Sequence, residues 1–181
     1  MELIHKAINE TLNIVSDHSI IILMVISIFL LKNKNNLLVY YILGVFINYV
    51  INLVLNLIIR QYRPNENERM FNAVLNNIGK NIFKNNIMLA NFYGMPSDHA
   101  QGVSFSTTFI ILSLKNIRIA ILYLIISFIS TIKRIQNKSH SILQSLFGAI
   151  AGILFAYVVY YFSQNNIKSI LKLKIDDNAP I

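Results

Sequence analysis

At 181 residues, with 55% hydrophobic composition and a mean hydropathy of +0.54, the chain is more apolar than a typical soluble domain, whose apolar share is nearer ~45–50%; it reads as one membrane-embedded unit. The net charge of +8 does not indicate a nucleic-acid binder, because Lys and Arg stand in the breaks between apolar runs rather than in a basic stripe with exposed aromatics; anionic lipid or phosphate is the better partner. The absence of cysteine excludes disulfides, thiolate metal sites and a cysteine nucleophile.

From the N-terminus, Met1 to Asp17 is mixed, and Leu3, Ala7, Ile8, Leu12 and Ile14 would line the apolar face of an interfacial helix. No small-residue cleavage site follows a short apolar core, so the segment does not read as a cleaved signal peptide. A first span is expected from about His18 to Leu31, or entering earlier from Leu12, then a tight basic turn over Lys32 to Asn36. Leu37 to Ile59 has the ~20 residues that a bilayer core requires. Polar residues gather at its end, and Asn56, Arg60 and Arg63 stand at i, i+4 and i+7, on one helical face. Pro64 would stop the helix. Arg60 and Arg63 read either as snorkelling anchors at the membrane surface or as ligands for an anion.

The polar segment 65–93 carries Phe71, Val74, Leu75, Ile78, Ile82 and Phe83 at roughly helical spacing. That pattern suits an extramembrane loop with an amphipathic surface helix, able to cover a site, and it suits a partly ordered loop as well. Tyr93 to Gly102 then reads Y-G-M-P-S-D-H-A-Q-G. Pro96 fits a first helical turn, Ser97 or Asp98 can cap the free N–H groups, and the helix dipole favours an anion there.

An apolar helix follows His99 to about Leu114, with Gln101, Ser104, Thr107 and Thr108 on a polar side that should face a bundle. The chain turns at Lys115 to Arg118, returns over Ile119 to Ile132, and breaks again at Lys133 to Ser141. A last span over Leu143 to Phe162 precedes a basic tail at 163–181, and its Gly148 and Gly152 form a G-x-x-x-G pair that permits close helix approach. Five apolar segments thus bring three polar breaks to one membrane face: Arg60 to Pro64, Pro96 to His99, and Lys133 to His140.

His99 and His140 have only Asp98 as a nearby additional donor, which makes a metal centre the weaker reading. Two arginines and two histidines suit phosphoryl transfer better. Guanidinium forks bind nonbridging oxygens, one imidazole attacks phosphorus, and the other protonates the departing oxygen.

Arg63-Pro64, Pro96-Ser97-x-His99 and Arg134-x5-His140, in that order, resemble the type 2 phosphatidic acid phosphatase superfamily from about His18 to Phe162. Within it the chain is most similar to dolichyldiphosphatases, through Tyr93-Gly94-Met95-Pro96-Ser97 with His99 and Gln101, and through His140-Ser141-x-x-Gln144 leading into Gly148 to Gly152. The resemblance implies an all-α polytopic bundle of about five spans, in which His140 is the nucleophile, His99 the general acid, and Arg63, Arg134 and Ser97 bind phosphate without metal or other cofactor. It further implies hydrolysis of dolichyl or another polyprenyl diphosphate, in the endoplasmic reticulum membrane with the site on the lumenal side. A phosphatidate phosphatase and a catalytically silent lipid-binding member are the alternatives.

Four positions depart from the superfamily pattern. Asn56 stands where a Lys is usual, with Arg60 one turn away as the expected compensating charge at the phosphate. Asp98 replaces Gly or Ser, and a carboxylate beside phosphate should repel it unless it turns to an Arg or caps the helix. Lys133 replaces a Ser. Gln144 replaces the carboxylate that usually orients the nucleophile, an orienting role that the dolichyldiphosphatase resemblance assigns to the glutamine itself.

Overall fold

A computed structural model describes residues 2–64 and 93–176. The surface helix or lid expected over 65–92 lies outside the described residues. The structure is all-helical, with five helices among the described residues: α1 (Glu2–Leu31), α2 (Asn35–Ile59), α3 (Asp98–Leu114), α4 (Ile117–Gln136) and α5 (Ile142–Asp176).

The first segment corrects an expectation. In place of an interfacial helix followed by a separate span, α1 is one helix of 30 residues. Neither Gly nor Pro occurs from Glu2 to Leu31, so nothing in the backbone chemistry breaks it. At the other end α5 continues 35 residues to Asp176, so the first part of the expected basic tail extends the last helix.

Four helical stretches are long and apolar enough to cross a membrane: Ala7–Leu31, Asn35–Ile59, Ile117–Gln136 and Ile142–Asn165. The fifth, α3, has 17 residues, about 25 Å at 1.5 Å per residue, and packs against all four others. Its Ala100, Val103, Phe105, Phe109 and Ile110 are buried. Tyr41, Phe105 and Phe109 stack with ring centroids 5.5–6.1 Å apart.

Large side chains such as Phe46, Ile58, Phe128 and Tyr161 face outward, where lipid is their natural surrounding. Several polar groups are turned inward and paired across helices: Ser19 with Ser130 at 2.7 Å, Ser27 with Tyr123 at 2.8 Å, Tyr41 with Ser106 at 2.9 Å, and Thr107 with Ser127 at 2.7 Å. An apolar exterior over polar groups paired between helices is what a hydrocarbon solvent selects.

The glycine pair fixes where α5 crosses α3. A Cβ at Gly148 would lie 2.5 Å from the Ser97 carbonyl oxygen, and one at Gly152 would lie 2.2 Å from that of Gln101. The backbone of α5 therefore rests directly on the first turns of α3.

Candidate active site

The C-terminal ends of α2 and α4 and the N-terminal ends of α3 and α5 meet at one end of the bundle. Ser97 caps α3, its Oγ accepting from the Ala100 N–H at 3.4 Å, and its N–H donates to the Gln144 carbonyl at 3.1 Å. The strand-like piece after α2 lies beside the one before α3: Tyr62 and Tyr93 form an antiparallel bridge, and Gly94 N–H donates to the Gln61 carbonyl at 2.7 Å. Arg63 precedes Pro64 and is thereby biased to extended backbone.

His140 is fully buried. Its Nδ1 is 3.1 Å from the Gly94 carbonyl; a carbonyl only accepts, so Nδ1 carries a proton and Nε2 is turned the other way. There it meets Arg63 Nη1 at 3.2 Å and Asp98 Oδ1 at 3.2 Å. His99 Nε2 lies 2.6 Å from Arg134 Nη2, and its Nδ1 is 3.3 Å from the same Asp98 oxygen. Arg134 Nη2 also pairs with Asp17 Oδ1 of α1 at 3.2 Å. The groups form one alternating row: Arg63, His140, Asp98, His99, Arg134, Asp17.

The electrostatics of this row follow from burial and from the charges along it. Burial lowers the pKa of Arg63, with Asp98 opposing the shift and Arg134 adding to it. Asp98 is held well below the usual carboxylate range; burial pushes it up, but its hydrogen bonds to His140 and His99 and their charges outweigh this. The Nε atoms of Arg63 and Arg134 are buried with no hydrogen-bond partner among the described residues. A guanidinium N–H is an obligate donor, and leaving one buried and unpaired is costly. Two such donors beside two histidines are the complement of a tetrahedral oxyanion.

The structure brings His99, His140, Arg63 and Arg134 together around Asp98, leaves the Ser97 hydroxyl as the cap of α3, and corrects the expected placement of three other residues. Gln144 makes no hydrogen bond to His140. Its Oε1 accepts from the Ser141 N–H at 3.0 Å and its Nε2 donates to the Tyr62 carbonyl at 2.9 Å, so it ties the motifs together while the Gly94 carbonyl orients the histidine. Gly94 is held to glycine by this crowding, since a Cβ there would lie 2.7 Å from Gln144 Oε1 and 2.9 Å from Arg63 Cγ.

Asn56 is buried and faces the Pro96 corner. Its Nδ2 is 3.2 Å from the Pro96 carbonyl and 2.9 Å from Asn52 Oδ1. Asn52 in turn donates to Gln101 Oε1 at 2.8 Å, and Gln101 to Asn48 Oδ1 at 3.0 Å. This amide ladder locks α2 to α3 beneath the site.

Arg60 is exposed, and the face it was expected to share with Asn56 and Arg63 does not form. The helix ends at Ile59, Arg60 turns left-handed at φ 53°, and its Nε bonds the Leu57 carbonyl at 2.8 Å. Sequence reasoning missed Asp17 and the Gly94 carbonyl. A carboxylate inside an apolar helix was a visible signal for the first; a backbone acceptor leaves none.

A cleft of about 540 Å³ opens between α1, α2 and α3, lined by Ile20, Met24, Phe46, Tyr49 and Phe105 and reaching Asp98. Among the described residues the cleft is lined by Asp98 alone of the Arg/His/Asp row, and the four long apolar helices define the class: an integral membrane protein. A family model for the PAP2 superfamily matches residues 37–168, and the chain belongs to that superfamily, whose members are generally phosphatases. The chain matches no curated protein and no solved structure.

Proposed function

We propose that the chain is a membrane phosphatase that hydrolyses a polyprenyl diphosphate, of the dolichyl type, to the monophosphate and inorganic phosphate. The observation that carries this reading is the pair of buried, unpartnered Arg63 and Arg134 Nε groups flanking His140 and His99. Each guanidinium can offer its free Nε–H to a nonbridging oxygen of the terminal phosphoryl group.

Binding draws Arg63 off His140 Nε2 and frees the lone pair. Nε2 attacks the terminal phosphorus as the bridging P–O bond breaks, and the lipid monophosphate leaves with a proton from His99. The Nδ1–H bond to the Gly94 carbonyl holds the ring in line and stabilises the charge it acquires. Water then attacks the phosphohistidine, gives a proton to His99 and releases inorganic phosphate and free His140. Asp98, within reach of both rings, is the charge complement of whichever imidazole is positive.

The cleft supports a lipid substrate, since its walls are mostly apolar and its lining includes Asp98. The opposite end of the bundle carries Lys32, Lys34, Lys115 and Arg118 at its helix junctions, which favours a cytoplasmic placement for that end and a lumenal or exoplasmic one for the site. A reticular membrane is the compartment this reading expects.

The test is phosphate release by the purified protein from dolichyl diphosphate, dolichyl phosphate and phosphatidate. Preference for the diphosphate is the expected result. Preference for phosphatidate would move the chain to a monoester phosphatase, and no release from any of the three would overturn the enzymatic reading.

A further inference from the structure

Asp17 lies within the apolar helix α1, and α1 stands outside the segment that matches the superfamily. An ionisable group in such a helix calls for a partner and a purpose. The partner is Arg134, 3.2 Å away, whose side chain is mostly buried while that of Asp17 is half-exposed.

The contact is one of several along an antiparallel α1–α4 seam. Asn9 Oδ1 accepts from the buried Lys133 Nζ, Ser16 Oγ donates to the Ser130 carbonyl at 3.3 Å, and Ser19 bonds Ser130 Oγ at 2.7 Å. Arg134 Nη2 has two hydrogens, and its two neighbours are Asp17 Oδ1 and His99 Nε2. With both Nη2 hydrogens held, the unpartnered Nε–H remains for another acceptor.

We propose that Asp17 is a positioning residue that holds the Arg134 guanidinium through Nη2 so that its free Nε–H meets the phosphate. This rests on the reading of the site as a phosphate centre. It makes α1 a working part of the site rather than an anchor, with a carboxylate supplied from outside the family's matched segment.

The experiment uses the full chain purified in detergent, with pyrophosphate as the anionic probe and a polyprenyl diphosphate as substrate. Asp17→Asn should raise both the pyrophosphate concentration needed for thermal stabilisation and the KM by roughly tenfold, the lower range for outer groups that orient a ligand-binding side chain. The value of kcat should change far less, the pattern of lost binding. Asp17→Glu should restore most of the affinity, and Asp17→Ser repeats the test if the asparagine variant does not fold.

Ser19→Ala breaks the same seam without touching Arg134 and should leave both readouts unchanged. Unchanged or tighter pyrophosphate binding in Asp17→Asn would overturn the proposal, the tighter case showing that Asp17 competes with phosphate. An equal loss in Ser19→Ala would reduce it to helix packing. A wild type that binds pyrophosphate but hydrolyses no lipid would sink the phosphatase reading while leaving this inference standing; one that binds no pyrophosphate sinks both.

Discussion

His140 sits between groups with opposite demands: Arg63 can only donate to Nε2, and ionised Asp98 can only accept from it. One proton therefore decides whether the nucleophile's lone pair is available. His140→Ala should reduce phosphate release to background, whereas His99→Ala should still accumulate phosphoenzyme from a diphosphate, whose leaving group needs less protonation than an alkoxide. A mass shift on His140 in the His99 variant is the check. Arg63→Lys and Arg134→Lys should each cost roughly a hundredfold in kcat/KM, the scale of losing one transition-state donor, because lysine lacks the planar fork. Asp98 bears on stability as well. Its folded pKa is depressed, so its contribution is present above the unfolded value near ~3.9 and is lost as pH falls through the folded one. Thermal melts should show wild type losing stability below about pH 3.9 more steeply than Asp98→Asn.

At the scale of elements, the crossing of α5 over α3 holds the third motif against the second. Gly148→Ala places a methyl 2.5 Å from a backbone oxygen, and overpacking of this kind costs about 1–3 kcal/mol; a lowered melting temperature with parallel loss of activity is expected. Arg60→Ala should leave turnover within about twofold, since a solvated surface side chain away from the reacting groups carries little. Asn56→Lys should lose activity, because a long cation would replace the amide that holds the Pro96 carbonyl.

These residues show where the sequence could be read and where it could not. Apolar run lengths report the spans, and the i, i+4 spacing of Gly148 and Gly152 reports the close approach that the structure shows. The grouping of Arg60 with Arg63 assumed that α2 continues to Pro64, and helix ends are set by local capping that periodicity does not encode. Asn56, read as a weakened cation, is understood only with its partner Pro96, forty residues away in sequence. Gln144 likewise takes its role from neighbours contributed by another motif.

For the molecule as a whole, charge and shape act on different parts of a substrate. Two guanidiniums supply positive charge at the phosphoryl group, so EDTA should leave the rate unchanged; loss with EDTA and recovery with Mg²⁺ would require a metal in the mechanism. The cleft between α1, α2 and α3 should act on the tail. In a micelle or bilayer the tail is already out of water, so entering the cleft gains little by the hydrophobic effect. Its contribution is instead to place the diphosphate at the Arg/His row, the positional gain that an ordered site supplies. A bulky residue in the wall should therefore affect only substrates long enough to reach it. Val45 lines this cleft, and Val45→Trp would fill part of it at a cost of about 1–3 kcal/mol to an occupant, or roughly tenfold in kcat/KM at 1.4 kcal/mol. A long-chain polyprenyl diphosphate should show that loss, while a short, water-soluble isoprenyl diphosphate should turn over at the wild-type rate. Equal losses for both would mean that the substitution disturbs the site itself, and no loss for either would place the tail elsewhere on the bundle.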